Sequence, residues 1–453
     1  MNRKGGIAYR MFKSYIRIIH DKLYYRRSYR LHIENMPAAG TPLMIVSNHQ
    51  NCLNDPMGIL FSIRDRKPYF IMRADVFAYH PILNKFFRSI GLLPAFRIDY
   101  EGEESLQKNK DTFLLSESKL VNGSTLVMFP EAGHQDKRWL GDFSFGYTKM
   151  VFEAAALNNF QTDILILPAC NHYSDYFQVQ EQLLIKYGTP ISIKPFYELY
   201  QTKPRTAQRH VSALVRKQIE DLMLNIRDLD NYEAIDFIRN TYGKRFAALH
   251  QYDKEKLPDR LLSDRVLVAE LEKINADGKE ETLLKVYADA LTLKKGIGEM
   301  RINDSFFDRC PSWAEIIGSL LLLLLFFPLW VFSLWPNALH FIIPNILINR
   351  MTDKMFYGTF ILAFSIMVTI PVFYTLTFVL TWIYANVWIA LIYLAFIPLL
   401  GLFAWYYRKF FRKTVQALRF HINGHTKRLN DLKNARKEMI DWLNELLKVD
   451  SKK

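Results

Sequence analysis

The sequence predicts an α/β sheet flanked by helices, followed by a helical region and a C-terminal transmembrane helical region. Three observations carry that expectation. Short apolar runs recur through the first two hundred residues, each closed by a polar or turn-forming stretch and separated by helical periodicity. From Arg209 to about Asn303 the chain is charge-rich and helical in pattern, with neither Gly nor Pro between Gln208 and Asn240. Between about Trp313 and Tyr407 apolar residues become nearly continuous.

The composition agrees with a soluble part joined to a membrane part. The chain has 453 residues, more than one ordinary globular core holds, with 50% apolar and 14% aromatic residues. Its formal net charge of +14, from 59 Lys and Arg against 45 Asp and Glu, suits nucleic acid, an anionic bilayer surface or anionic substrates. The apolar C-terminal third selects the bilayer, so membrane lipids are expected as partners and nucleic acid is not. Cys52, Cys170 and Cys310 are far apart, without the spacing of a zinc site, and read as reduced thiols; no metal is expected. The N-terminus, MNRKGGIAYRMFKSYIRIIHDKLYYRRSYR, lacks the apolar core and small-residue cleavage site of a secretory signal. An integral membrane protein with its first domain facing the cytoplasm is the expected arrangement.

Residues 1–27 read as an amphipathic interfacial helix. Tyr9, Met11, Phe12, Tyr15, Ile16 and Ile19 recur at helical spacing, with Arg10, Lys13, Arg17 and Lys22 interleaved. A helix capping the domain core would show the same pattern. Residues 28–208 read as the sheet domain. LMIVSN from Leu43, YFIMRAD from Tyr69, TLVMFPE from Thr125 and ILILPAC from Ile164 are expected strands, with helices over Asp111–Val121 and Tyr147–Leu157. Residues 209–312 form a helical spacer or subdomain without a chemical motif.

In the transmembrane region, 313–407, the stretches Trp313–Trp335, Phe356–Tyr384 and Ala385–Tyr407 each reach the roughly 20 residues that span a hydrocarbon core as a helix. Ala338–Ile348 is too short alone. Pro336 and Pro344 are expected to break it into the return arm of a hairpin. Arg350, Lys354 and RKFFRK from Arg408 favour cytoplasmic loops, hence an even number of crossings. Residues 408–453 read as a basic amphipathic cytoplasmic tail.

The chemistry-bearing motifs fall just past expected strand ends, where open α/β sheets place their ligands. The first is SNHQNCLNDP, Ser47 to Pro56. His49 with a carboxylate at Asp55 offers a general base and a group to fix its tautomer and stabilise imidazolium. A polar loop at a strand end is the plain alternative. In FPEAGHQD, Phe129 to Asp136, Gly133 lets backbone approach a ligand. Glu131 is there either to accept hydrogen bonds from acceptor hydroxyls or to pin the loop through backbone N–H groups. GLLPAFRID, Gly91 to Asp99, offers Arg97 as a fork for phosphate, with Lys137, Arg138 and Lys149 adding positive charge near the second motif. Each cation singly is equally a solvated surface charge.

Taken in order, NHQNCLNDP, GLLPAFR, FPEAGHQD and ILPACNHY resemble the four sequence blocks of the glycerolipid acyltransferases, which include glycerol-3-phosphate and 1-acylglycerol-3-phosphate acyltransferases. The resemblance covers about residues 30–205 and implies a glycerolipid-acyltransferase-like sheet, with 28–208 as the catalytic domain. It implies that His49 deprotonates an acceptor hydroxyl with Asp55 as partner, and that the hydroxyl attacks the thioester of acyl-CoA or acyl carrier protein. Those donors are co-substrates, and no cofactor is needed. Arg97, Glu131 and Gly133 correspond to acceptor-binding positions, and Arg138 and Lys149 join them as substrate-binding candidates.

Most members space the pair H-x4-D, the place held here by Asn54. The longer spacing, closed by Asp-Pro, resembles the fungal-type glycerol-3-phosphate acyltransferase branch. The third block departs at Ala132 and His134, where Gly and often Ser are usual. The implied function is O-acyl transfer to glycerol-3-phosphate or 1-acylglycerol-3-phosphate in phospholipid biosynthesis. The alternatives are another lysolipid or aminolipid acceptor, or a non-catalytic membrane lipid-binding protein. A transporter draws only on the apolar segments, which hold almost no charge to mark an ion path.

Overall fold

The computed structural model of the chain describes residues 5–78, 80–95, 104–131, 133, 137–276, 280–351 and 355–447. It divides into two compact units, one of Met1–Leu224 with Ile348–Leu362 and one of Asn225–Leu347 with Ala363–Lys453.

The first unit is built on a mixed sheet of β1 (Tyr25–Leu31), β2 (Leu43–Ser47), β3 (Tyr69–Arg73), β4 (Leu92–Ala95), β5 (Thr125–Met128), β6 (Leu165–Tyr173), β7 (Glu181–Tyr187) and β8 (Ile191–Ser192). The order is β1-β7-β6-β2-β5-β3-β4, with β8 added to β6. β6 runs antiparallel to β7 and β8, and the remaining pairings are parallel. β2 is central and buried along its length; Leu43 stands opposite both Thr125 of β5 and Leu165 of β6. Parallel strands covered on both faces read as continuous apolar runs. The four expected strands all form, β2, β5 and β6 as buried strands of this kind and β3 with only Phe70 buried. β1, β4, β7 and β8 add to them.

Helices Gly146–Ala156 and Pro204–Leu222 supply much of the cover on one face. In the second, Ala207, Val211, Val215 and Ile219 recur every fourth residue and are fully buried, each large aliphatic contributing about 1.5–3 kcal/mol. Phe152 stacks on Tyr200 at 4.3 Å and 6°. The helix expected over Asp111–Val121 begins earlier, at Glu104. Its exit turn needs Gly123 (φ +81°), because a Cβ there would strike the carbonyl of Gly40.

At the N-terminus, α1 (Ile7–Ile18) buries Ile16, and Ile19 follows it into the core, while Ile7, Met11 and Ile18 stay exposed. One face thus packs on the domain, as in the capping reading, and another presents apolar side chains outward. A π-turn over Ile19–Tyr24 leads into β1. It is held by Asp21, which accepts from His20 Nδ1 at 2.8 Å and from Arg30 at 2.9 and 3.0 Å. Arg30 keeps the Asp21 carboxyl well below the usual range together with the His20 hydrogen bond, against the opposing effect of burial.

The second unit is helical. The helix-rich stretch expected from Arg209 is not continuous: the helix from Pro204 ends at Leu222, within the first unit, and the next begins at Tyr232. Helices Tyr232–Thr241, Gly243–Leu249, Leu257–Ala276 and Glu280–Met300 follow. Arg239 of the first is buried and donates to Asp264 of the third at 3.0 Å. Among the described residues, three helices are long and apolar enough to cross a membrane: Trp313–Leu339, Phe356–Tyr384 and Val387–Ile422.

The expected hairpin is corrected here. Trp313–Asn349 is one helix with Pro328, Pro336 and Pro344 inside it. Within this unit Tyr374 Oη donates to Asn337 Oδ1 at 2.8 Å, and Asn337 Nδ2 donates to the carbonyls of Ser333 at 3.0 Å and Ile397 at 3.3 Å. The amide beside Pro336 thus ties three helices together, and Gly401 leaves room for it. The tail is helical as expected, in two parts: Val387–Ile422 runs on through RKFFRK, and Lys427–Leu446 follows.

Candidate functional site

The site grows from the C-terminal ends of β2, β5 and β6. At the end of β2, the buried Asn48 replaces strand pairing with side-chain bonds to β6. Its Nδ2 donates to the carbonyl of Asn171 at 3.0 Å, and its Oδ1 accepts from the Asn171 amide at 2.8 Å. Asn171 Nδ2 in turn donates to Ser47 Oγ at 3.1 Å. The strand end is locked in place, and His49 is the next residue.

His49 Nδ1 lies 2.7 Å from Asp55 Oδ2, with the His side chain 21% exposed and the Asp fully buried. Asp55 sits in the first turn of α2 (Asn54–Ser62). Its Oδ2 also accepts from the amides of Gln50 and Asn51, each at 2.7 Å, and its Oδ1 accepts from Tyr173 Oη at 2.5 Å. Four donors around one carboxylate fix its rotamer. Burial and the nearby Asp55 charge push the Tyr173 hydroxyl well above its ordinary pKa, so it stays a donor.

Asn54, at the shorter spacing, is no partner of His49; its amide donates to Asn51 Oδ1 at 3.0 Å. The longer loop closes through Cys52, which takes a left-handed conformation (φ +40°).

Behind the His ring lies Phe129, stacked at 4.5 Å and 27°. Glu131, just past β5, accepts from the His49 amide at 2.7 Å through Oε1 and from the Gly141 amide at 2.8 Å through Oε2. Of the two roles open to it from sequence, these bonds are those of the loop-pinning carboxylate. Burial raises its pKa above the ordinary value, and the two amides oppose the rise. The rest of the loop is fastened by side chains: Tyr176 Oη to Gln50 Oε1 at 3.0 Å, Gln50 Nε2 to the Lys137 carbonyl at 2.9 Å, and Asn51 Nδ2 to the Tyr176 carbonyl at 3.2 Å.

The other candidates are distributed differently. Arg138 is buried, donating to the Tyr173 carbonyl at 3.2 Å with its guanidinium over the Tyr176 ring; its cation supports the strand that carries Tyr173. Lys137 lies over the Trp139 ring at 4.9 Å. Lys149 is exposed on helix Gly146–Ala156, where its charge acts on Glu117. Gly133 is exposed, and a Cβ there would meet open space. Arg97, Ala132 and His134 lie outside the described residues. No group of three or more His, Cys, Asp or Glu among the described residues is placed to hold a metal ion.

Sequence reading missed Tyr173, Asn48, Asn171 and Phe129. A signal existed for two of them: Asn171 and Tyr173 are two apart in β6 and so share a face.

Residues 28–171 match the family model described as Acyltransferase. That span carries His49, Asp55 and Glu131, and the match supports an acyltransferase domain there. The crystal structure of the 1-acyl-sn-glycerophosphate acyltransferase PlsC from Thermotoga maritima is similar over 47% of this chain and 79% of that one, at 15% identity and a TM-score of 0.35. No curated protein matches the chain.

Proposed function

We propose that this protein is a membrane-bound O-acyltransferase, moving a fatty acyl group from acyl-CoA or acyl carrier protein to glycerol-3-phosphate or 1-acylglycerol-3-phosphate, at a site facing the cytoplasm. The observation that carries the reading is the 2.7 Å contact between His49 Nδ1 and the buried Asp55, at a strand C-terminus within the span matching the family model.

With Nδ1 committed to Asp55, the base nitrogen is Nε2. As the acceptor oxygen attacks the thioester carbonyl, its proton passes to Nε2, and the imidazolium is stabilised by the carboxylate 2.7 Å from Nδ1. Collapse of the tetrahedral intermediate breaks the C–S bond, and the departing thiolate takes the proton back from His49. The products are an ester and a free thiol, with no covalent acyl-enzyme.

In this reading Arg97 and Lys149 attract the acceptor phosphate and Gly133 gives it backbone access. Glu131 and Arg138 act through what they hold, the His49 amide and the Tyr173 carbonyl. The Asp-Pro spacing favours the fungal-type branch and hence glycerol-3-phosphate as acceptor. The apolar helices suit a product that partitions into lipid.

The test uses purified full-length protein in detergent or lipid. Labelled acyl-CoA and acyl carrier protein are offered separately against glycerol-3-phosphate and 1-acylglycerol-3-phosphate, with His49→Ala as control. Transfer to one acceptor, lost in the variant, is the expected outcome. No transfer in any pairing by folded protein sinks the proposal, and transfer surviving in His49→Ala removes the base assignment.

A further inference from the structure

Four amides of the loop between His49 and Asp55 are held from within the sheet domain. His49 donates to Glu131, Gln50 and Asn51 to Asp55, and Asn54 to the Asn51 carbonyl. The Leu53 amide is held from elsewhere. It donates to Thr359 Oγ1 at 3.2 Å, across 306 residues of sequence. Leu53 is the residue from which α2 departs, and no local side chain caps that helix. Thr359 Oγ1 accepts one of the orphan amides of a helix start whose first turn carries Asp55.

The neighbouring residue makes an independent case. Gly358 is buried, and a Cβ there would collide with Tyr24 Oη and come within 2.9 Å of Asn54 Nδ2. Only glycine lets this backbone lie so close to Asn54, whose amide holds Asn51 and through it one of the two loop amides on Asp55. Phe356–Leu362 belongs to the same compact unit as the dyad. It is also about the first two turns of an apolar helix long enough to cross a membrane.

We propose that Thr359 is a positioning residue of the acyl-transfer site, with Gly358 as the close-approach point that lets it reach. The start of an apolar helix then completes the loop bearing His49 and Asp55, and the dyad is fully ordered only when that helix is seated. The inference rests on the acyltransferase reading for its kinetic consequence and on the hydrogen bond alone for its structural one.

The experiment separates the two, using the full chain in lipid nanodiscs with Thr359→Val, Thr359→Ser and Gly358→Val. Hydrogen exchange of peptides covering residues 48–56 needs no substrate. Exchange there rises at least about tenfold in Thr359→Val and Gly358→Val and returns to the wild-type rate in Thr359→Ser. Acyl-transfer kcat falls about tenfold in Thr359→Val with both KM values unchanged within about twofold, and Ser restores it. Unchanged exchange over 48–56 in Thr359→Val overturns the proposal whatever the activity. Raised exchange with kcat unchanged overturns the positioning role. An inactive wild type with the exchange pattern as expected would count against the acyltransferase reading and leave Thr359 as the anchor of this loop.

Discussion

Asp55→Asn isolates charge from shape at the dyad. The substitution keeps an oxygen that can occupy the place of Oδ2, where the amides of Gln50 and Asn51 donate at 2.7 Å. Its new NH2 then faces Tyr173 Oη, an oxygen able to accept. The loop keeps its shape, and the carboxylate charge beside His49 is lost. With charge centres about 4 Å apart and an effective dielectric of about 20, that charge stabilises an imidazolium by about 4 kcal/mol. If the proton resides on His49 in the transition state, the loss is about a thousandfold in kcat. Labelled-thioester transfer, normalised to folded protein, measures it. Asn54→Ala is the control, because Asn54 bonds Asn51 rather than His49, and less than about tenfold is expected there. A loss below tenfold in Asp55→Asn would refute the assignment of Asp55 as the partner.

Tyr173→Phe removes a buried hydrogen bond to a carboxylate, worth about 1.5–3 kcal/mol, and should lower kcat by about ten- to a hundredfold with KM unchanged; a wild-type kcat would show that three donors suffice for Asp55. Arg97→Ala should raise the KM for the phosphate-bearing acceptor and spare that for the thioester, and the reverse pattern would move Arg97 to the donor side. Glu117 is raised from 4.5 to about 7 by burial and then by Glu153, with Lys149 opposing. A carboxyl whose folded pKa is raised binds its proton more tightly when folded, so its stability contribution is present below pH 4.5 and lost as pH climbs through 7. Glu117→Gln should therefore leave the melting temperature unchanged near pH 4.5 and raise it at pH 8, by about 1 kcal/mol of stability once solvent screening is allowed for. Equal shifts at both pH values would disprove the titration account.

Which parts were legible follows from how each residue is used. LMIVSN, TLVMFPE and ILILPAC become central strands covered on both faces, and that condition writes itself as unbroken apolar sequence. YRRSYRL becomes β1 at the sheet edge, where three arginines are tolerated and blunt further pairing. Nothing in its pattern separates it from a charged loop. LLPA is four residues with a proline, too short to signal a strand until β3 is known to lie beside it. The prolines at 336 and 344 misled for a different reason. In water a proline ends a helix because the freed carbonyl finds solvent; in an apolar segment no such partner exists, and continuing the helix with a side chain such as Asn337 near the gap is the cheaper solution.

The site divides along the same line. His49, Asp55 and Glu131 were visible because they are polar residues bunched past strand ends. Tyr173 was not, because its importance depends on the register of β6 against β7 and on β6 lying beside β2. Arg138, expected to bind substrate, is instead buried against the protein, since an isolated arginine carries no mark of burial until Tyr173 and Tyr176 are placed around it. The spacing of the dyad is the sharper case. The usual spacing, with four residues intervening, falls on Asn54, yet the chain is not counting residues; it is wrapping a carboxylate. Oδ2 of Asp55 collects the Gln50 and Asn51 amides as well as His49 Nδ1, so the loop closes on whichever carboxyl begins the helix. The left-handed turn at Cys52 takes up the extra residue. What has to be kept is the encircled carboxylate and the rigid strand end that aims His49 at it, and the number of residues between them follows from the turn.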